Sequence, residues 1–272
     1  MIDLHLFYNG PESPALAVAG GIDALIVDCE TLGKRERQRG YDTEINLWQP
    51  RDCEQVRIAA PTLRVICRLD SFRTVGSKVL DQAHVAVLAG AHEVILPMVD
   101  TIDEVRSLLD AIAGRAEVGV MIETEGAIAI VDQLDNLPLR RAFFGLNDLM
   151  IERRSRHLFE GVLDGSVERL RPHCRRLAFG FGGMTLPEGG HPVPSRLMIA
   201  ELARMRCDFT FLRRSFYRDV VAAGLDPAAS VARMRRAWTA ARARPEAAVA
   251  ADHAELRAIL ERVVQGVKAG AE

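Results

Sequence analysis

Two short apolar runs in the sequence each stop at a carboxylate. Residues 118–124 read VGVMIET and carry Glu123, and residues 142–150 read AFFGLNDLM and carry Asp148. Such runs are typical of buried parallel strands, and the roughly 20 residues between them leave room for one crossover helix. Both carboxylates are then expected at one edge of a sheet, where they could hold a hard divalent cation such as Mg²⁺ or Mn²⁺. The spacing leaves equally open that each one caps the following helix.

Other apolar runs also end in polar residues. These are Asp28, Glu30, Arg68, and Arg213 or Arg214. An arginine facing a bound cation would bind an anionic substrate. The three lysines, Lys34, Lys78 and Lys268, are expected in a loop, at a helix start and in the C-terminal tail. Because a Schiff-base enzyme needs a lysine buried near a strand end, imine catalysis is not expected. The alternative is a cation acting as a Lewis acid on a 2-oxo acid and offsetting the charge of an enolate.

The elements that must position these residues follow a regular alternation. Eight strand-like runs alternate with helical segments over about 215 residues, which predicts an α/β fold of the (β/α)8 TIM-barrel type. The strands are expected at residues 4–8, 24–27, 63–67, 94–96, 118–122, from 142 to near 148, at 177–181 and at 209–212. A doubly wound sheet is the alternative, because both folds use the same right-handed βαβ unit.

The end of the chain differs in character from the rest. We assign residues 1–225 to the barrel and residues 226–272 to a C-terminal helical extension. Apolar residues at three- and four-residue spacing predict two helices there, at 228–243 and 245–267. Added after a complete barrel, these helices are expected to pack on it or to form an oligomer contact.

Several loop features are open to more than one interpretation. Residues 31–49 form a long polar loop, which is typical either of a lid or binding loop or of disorder. The segment GFGG at 180–183 follows the seventh strand, and arginines end the eighth. This pattern predicts either a phosphate-binding segment or a tight turn beside an exposed arginine. His157, His173 and His191 lack metal-ligand spacing and are expected at the surface.

The composition favours a cytoplasmic globular protein. Hydrophobic residues make up 49% and charged residues 26% of the chain, and no apolar run approaches the ~18 residues of a membrane span. The first residues do not resemble an export signal. Five cysteines without a C-x-x-C pair are typical of reduced thiols. With a net charge of −2, neither a nucleic-acid partner nor a membrane partner is expected.

Several stretches of the chain resemble a known family. The segments GIDALIVDCE, VICRLD, EVILPMVDTIDEV, VGVMIETEGAIAIVDQL and FFGLNDL are similar to those of the HpcH/HpaI aldolase and citrate-lyase-like family, whose members share a metal-dependent barrel acting on pyruvate-type substrates. The resemblance covers residues 20–150 well and the rest of the barrel more loosely. Its most specific parts are the I-E-T and G-x-N-D-L motifs at the separation that the family has.

The resemblance implies roles for individual residues. Glu123 and Asp148 match the two ligands of the divalent cation, expected to be Mg²⁺ or Mn²⁺. Arg68 matches the arginine that binds the oxo group of the substrate and stabilises the enolate. The segment with Gly145, Asn147 and Asp148 matches the one that receives the pyruvate carboxylate. The resemblance also implies a homo-oligomer, with the C-terminal helices as its expected interface.

One catalytic motif departs from the family pattern. Asp28 matches the acid of a D-x-E-H motif whose histidine takes part in proton transfer, but Thr31 stands in the place of that histidine. Threonine cannot act as a base near neutral pH. The citrate-lyase-like branch also lacks the histidine, has a carboxylate there and prefers coenzyme A thioesters. Met121 likewise stands where several aldolases carry glutamine.

Taken together, these features predict a divalent-metal-dependent carbon–carbon lyase or aldolase, or an enzyme of the reverse condensation. Its substrate would be a small oxo acid or polycarboxylate that reacts through an enolate of pyruvate or a related 2-oxo acid. Two alternatives stay open. One is a citrate-lyase-like enzyme of an acyl-coenzyme A or of a phosphorylated acid. The other is a barrel that has lost catalysis and serves as a binding or assembly protein, which Thr31 and the added helices would fit.

Overall fold

The fold is a nearly closed barrel of parallel strands surrounded by helices, as the sequence predicts. The computed structural model describes residues 1–34, 47–155, 157–213 and 215–269, so most of the predicted loop 31–49 and Arg214 lie outside the described residues. The strands are β1 (Asp3–Phe7), β2 (Ala24–Asp28), β3 (Arg64–Arg68), β4 (Glu93–Leu96), β5 (Glu117–Ile122), β6 (Arg141–Phe144), β7 (Ala178–Phe181), β8 (Gly183–Met184) and β9 (Phe209–Leu212). They form one sheet in the order β7-β6-β5-β4-β3-β2-β1-β9-β8, and every pair is parallel.

The structure has one strand more than the eight predicted, because the seventh run is interrupted. Gly182 adopts a left-handed conformation with φ +65° and separates β7 from the two-residue β8. β8 then pairs with β9. On the other side β9 approaches β7, where the Asp208 N–H donates to the Phe179 carbonyl at 2.8 Å and the Thr210 hydroxyl donates to the Phe181 carbonyl at 3.1 Å. These contacts bring the two ends of the sheet together.

Helices connect the strands and cover the outside of the barrel. They are α1 (Ser13–Gly20), α2 (Cys53–Ala59), α3 (Phe72–Val75), α4 (Lys78–Leu88), α5 (Ile102–Ile112), α6 (Glu125–Ala129), α7 (Val131–Leu134), α8 (Leu146–Glu152), α9 (Glu160–Leu163), α10 (Ser166–Leu170), α11 (Ser195–Arg204), α12 (Pro227–Arg242) and α13 (Glu246–Ala269). Within the described ranges, no helix is both long and apolar enough to cross a membrane.

The two predicted C-terminal helices are present as α12 and α13. Helix α12 packs on α1 and α11, and α13 packs on α11 and α9. Leu256 and Leu260 are fully buried in this packing. The apolar spacing of the sequence therefore marks the inward faces of these helices. Their assignment to a separate domain, and a role in oligomerisation, stay predictions.

A buried ion-pair cluster occupies the barrel at the amino-terminal ends of the strands. Glu93 begins β4 and is fully buried, with Arg141 Nε at 2.7 Å from its Oε1 and Arg64 Nη2 at 3.1 Å from its Oε2. The Arg141 guanidinium also lies over the Phe209 ring, 4.8 Å from its centroid. Gly119 leaves the necessary room, since a Cβ there would be 2.8 Å from Glu93 Oε1. Both carboxylate oxygens of Glu93 are thus paired with arginine.

Removing the charge of Glu93 is expected to destabilise the barrel. Glu93→Gln leaves Arg141 buried without its carboxylate, so the free energy of unfolding should fall by about 3 kcal/mol. Equilibrium unfolding in urea measures this change. The control is Asp103→Asn, which removes an exposed partner of Arg106 and should leave the midpoint unchanged. An unchanged midpoint for Glu93→Gln would show that the cluster contributes little.

Candidate functional site

A cavity of about 970 Å³ opens at the carboxyl ends of the strands. All of the site residues predicted from the sequence line it. These are Asp28, Arg68, Glu123, Gly145, Asn147 and Asp148. Strand ends β2, β3 and β5 supply the first three, and the turn from β6 into α8 supplies the others. The barrel therefore gathers residues that are up to 120 positions apart in the chain.

Glu123 follows β5 and is almost completely buried, at 1% exposure. Its Oε1 accepts the Met98 N–H at 2.9 Å, whereas its Oε2 has no hydrogen-bond partner. Burial, together with repulsion from Asp148 and Glu30, raises the pKa of Glu123 to about 8, although Arg68 acts in the opposite direction. A buried carboxylate with one unpaired oxygen is costly unless a cation comes to it.

The helix-capping alternative for the two carboxylates is not what the structure shows. Thr124 caps α6, where its hydroxyl accepts the Ala127 N–H at 2.9 Å. The N-cap of α8 is Gly145, and Asp148 lies inside the first turn of that helix. Asp148 is buried, at 4% exposure, and it lines the cavity with Glu123. Both carboxylates are thus left to face the cavity instead of a helix end.

Gly145 is what allows the end of β6 to approach Glu123. A Cβ on Gly145 would lie 2.2 Å from Glu123 Oε2 and 2.9 Å from Glu123 Cβ. Because real Cβ atoms do not come so close, any other residue would displace the carboxylate. The G in the G-x-N-D-L motif therefore has a steric reason in this fold, and its φ of −87° shows that backbone strain is not that reason.

Asp28 and Arg68 form a two-bond ion pair across neighbouring strands. They lie opposite each other in the β2–β3 register. Arg68 Nε donates to Asp28 Oδ1 at 2.8 Å and Nη2 donates to Oδ2 at 2.7 Å. Lys34 Nζ donates to Asp28 Oδ2 at 3.0 Å. Burial alone would raise the pKa of Asp28, but Arg68 and Lys34 together hold that pKa well below its usual range.

The ion pair fixes the position of Arg68 and keeps both partners charged. Burial acts to lower the pKa of Arg68, but Asp28 and Glu30 raise that pKa overall. The Nη1 of Arg68 also contacts Met121 Sδ at 3.6 Å. Since Asp28 stays ionised at neutral pH, it orients Arg68 and is poorly suited to carry a proton.

The structure adds three cavity residues that the sequence analysis set aside. Lys34 was expected in a loop away from the site, but it is buried at 4% exposure and lines the cavity. His157, which is half-buried, and His191, which is exposed as predicted, also line it. Burial lowers the pKa of His157, whose Nδ1 accepts the Phe159 N–H at 3.3 Å. His173 is exposed beside Asp132, as predicted.

Thr31 does not replace the missing histidine. Its backbone N–H donates to Asp70 Oδ1 at 2.8 Å, and the Leu32 N–H donates to the same oxygen at 3.0 Å. Asp70 thus anchors the start of the loop that carries Lys34. Thr31 is not part of the cavity wall that the described residues form, so its position has a backbone role in this structure.

The carboxylates fit a hard divalent cation. In the part of the chain that the structure describes, no group of three or more His, Cys, Asp or Glu side chains is arranged as a metal cluster. Glu123 and Asp148 could provide two oxygen ligands, and Glu123 Oε2 is buried with no hydrogen-bond partner. Mg²⁺ is commonly bound through one or two carboxylates, with waters and substrate oxygens completing the octahedron. Two ligands are therefore enough for this type of site.

Several solved protein structures are similar to this chain. No protein-family model matches the chain, and no curated protein matches it. A citrate lyase from Burkholderia xenovorans has a TM-score of 0.56 at 16% identity, covering 94% of this chain and 96% of that one. Protein CitE from Mycobacterium tuberculosis, solved with magnesium and pyruvate, has a TM-score of 0.53 at 16% identity, covering 94% and 97%. The 3-hexulose-6-phosphate synthase from Salmonella typhimurium reaches 0.58 at 13% identity, covering 88% and 100%.

These likenesses show a shared fold. The chain has the barrel of these enzymes over nearly its whole length, and at such identities the side chains of the cavity must be interpreted on their own chemistry.

The raised pKa of Glu123 predicts that Glu123→Gln stabilises the metal-free protein. From pH 4.5 to about 8 the unfolded chain loses the Glu123 proton while the folded chain retains it, so the wild-type stability falls through this range. Glu123→Gln has no carboxyl group at this position, so its stability does not fall for this reason. Its advantage should be small at pH 5 and should exceed about 1 kcal/mol at pH 8.

Urea unfolding with a chelator present, at pH 5 and at pH 8, measures this difference. Glu93→Gln is the matched control, because Glu93 is equally buried but paired with two arginines. That variant should be less stable than wild type at both pH values. A Glu123→Gln advantage that does not grow with pH would contradict the assigned electrostatics.

Proposed function

We propose that this protein is a divalent-metal-dependent carbon–carbon lyase or aldolase, or catalyses the reverse condensation, through the enolate of pyruvate or a related 2-oxo acid. The observation that carries the proposal is the buried, unpartnered Oε2 of Glu123 beside Asp148, in the same cavity as Arg68. Such an arrangement is unfavourable for a purely structural site and is typical of functional carboxylates.

The proposal assigns separate roles to the two carboxylates and to Arg68. Glu123 and Asp148 would hold the cation, which when bound supplies Lewis-acid polarisation of the oxo acid and offsets the charge of the enolate. Arg68, fixed by Asp28, would donate hydrogen bonds to the oxo oxygen. Because the two-bond ion pair with Asp28 orients Arg68, little ordering of this side chain has to accompany binding.

The turn into α8 suits the substrate carboxylate. The N–H groups of Asn147 and Asp148 belong to the first turn of this helix, whose N–H groups point out of its N-terminal end. The Gly145 N–H is already donated to the Ile122 carbonyl at 3.0 Å. Gly145 would therefore contribute space next to Glu123, and Asn147 and Asp148 would contribute the donors.

The structural comparisons agree with this choice of ligands. CitE from Mycobacterium tuberculosis, which shares the fold, was solved with magnesium and pyruvate together. A citrate lyase and the citrate synthase SbnG are also structurally similar to this chain. They support a lyase or condensation reaction of an oxo acid on this barrel, and the buried carboxylates of the present chain supply the local argument.

Metal binding tests the assignment of Glu123 and Asp148. Mn²⁺ titration, followed by calorimetry or by paramagnetic resonance, should show one site in the wild type. Glu123→Ala and Asp148→Ala should each weaken it at least about a hundredfold. Gly145→Ala should weaken it as well, although both ligands remain, because its Cβ displaces Glu123 Oε2. Gly266→Ala, which meets no neighbouring atom, is the control. Wild-type affinity in Glu123→Ala or Asp148→Ala would remove the metal assignment.

Exchange of the pyruvate methyl protons in deuterated water tests the enolate. The metal-loaded protein should accelerate exchange above buffer with metal, and Arg68→Lys should lower this rate at least about a hundredfold while Mn²⁺ affinity stays within a few-fold. An inactive barrel would give no exchange in the wild type. Full exchange in Arg68→Lys would remove Arg68 from the mechanism.

A further inference from the structure

The cavity has a second polar end that the proposed reaction does not use. Arg213 follows β9 and lines the cavity together with the glycine-rich segments around Gly183 and Gly190. Its Nε donates to the Gly183 carbonyl at 3.0 Å, and its backbone N–H donates to the Met184 carbonyl at 2.8 Å. These bonds hold the guanidinium against the cavity wall.

Two glycines, Gly183 and Gly190, lie close to the Arg213 side chain on the cavity wall. A Cβ on Gly183 would be 2.9 Å from Arg213 Cγ, and a Cβ on Gly190 would be 3.2 Å from Nη1. Gly190 also has φ +95°, which other residues rarely adopt. Gly183, which belongs to the segment predicted to be either a phosphate-binding segment or a tight turn, thus lies against an arginine, as does Gly190.

Arg213 has no carboxylate of its own in the described part of the chain. Its Nη2 is buried and has no hydrogen-bond partner. The nearest acidic group, Asp219, accepts the Thr185 hydroxyl at 3.0 Å and the Arg218 Nη2 at 3.0 Å. Burial lowers the pKa of Arg213 and Asp219 only partly opposes this. A buried guanidinium with an unused donor is costly unless an anion comes to it.

The size of the cavity also leaves room for a substrate with a second anionic group. About 970 Å³ lies at the upper end of the roughly 300–1,000 Å³ found for pockets that bind drug-sized ligands. A three-carbon oxo acid held at Glu123, Asp148 and Arg68 would leave much of that space open. The remaining wall includes Arg213 and the exposed Arg218.

We infer that Arg213 binds a second anionic group of the substrate, so that the enzyme takes an acceptor or product carrying a carboxylate or a phosphate besides its oxo-acid part. This inference rests on the proposed function for the identity of the first part. The planar guanidinium presents paired donors that match the oxygens of either anion. An anion in the cavity would give the guanidinium the counter-charge that it lacks among the described residues.

Anion binding to the metal-free protein tests Arg213 without any turnover. Calorimetric titration with inorganic phosphate, and separately with acetate, distinguishes the two anions. We expect Arg213→Met to weaken the preferred anion about ten- to a hundredfold. Arg218→Met, which removes an exposed cation at the same end, should change the affinity less than about threefold. Arg213→Lys keeps the charge but loses the paired donors and should fall between wild type and Arg213→Met, which keeps the test decisive if the methionine variant does not fold.

Pairs of acceptor aldehydes that differ in one anionic group test whether Arg213 binds the substrate. With pyruvate as the donor, wild-type kcat/KM should be higher for glyceraldehyde 3-phosphate than for glyceraldehyde, or higher for glyoxylate than for acetaldehyde, and Arg213→Met should abolish that preference. Equal anion affinity in wild type and Arg213→Met, or an equal loss in Arg218→Met, would overturn the inference. If anion binding behaves as expected while pyruvate exchange is absent, the proposed reaction fails and the anion site stands.

Discussion

The contact between Glu123, Gly145 and Asp148 is the constraint on which the rest of the site depends. It places two carboxylates together in a position from which water is largely excluded, and one oxygen of Glu123 receives no hydrogen bond. Nothing in the packing of the barrel requires this arrangement, which opposes folding at neutral pH. The surrounding strands must supply the free energy that keeps it in place, as is common for sites that need a reactive group before the ligand arrives.

The two buried glutamates of neighbouring strands show how the barrel separates stability from chemistry. Glu93 lies at the amino-terminal end of β4, where Arg141 and Arg64 pair with both of its oxygens. Glu123 lies just beyond the carboxyl end of β5, where it lines the cavity and its second oxygen has no hydrogen-bond partner. Both are buried to the same degree. The two glutamates differ in the number of partners that their oxygens have. This difference indicates a structural role for the amino-terminal end of the barrel and leaves the carboxyl end available for a ligand.

The strand-end residues could be predicted from the sequence because each follows a continuous apolar run. Register then fixes the rest: once β2 and β3 are parallel and aligned, Asp28 and Arg68 must meet. Lys34 and His157 could not be placed in this way, since both belong to loops whose path depends on distant contacts, such as that of Asp70 with Thr31 and Leu32. The roles of the site residues came from the family resemblance and not from their spacing.

In the proposed reaction, the two arginines of the cavity differ in a way that would orient a substrate with two anionic groups. Arg68 is neutralised by a two-bond pair with Asp28, so it offers directed hydrogen bonds but little net attraction for an anion. Arg213 has no such pair, so it attracts anions without help. Glu123 and Asp148 offer no positive charge to an anion until a divalent cation is held there. An anionic tail would therefore be drawn to Arg213 even in the metal-free protein, whereas the oxo acid would bind only after the cation, which predicts that the two parts of the substrate depend differently on metal.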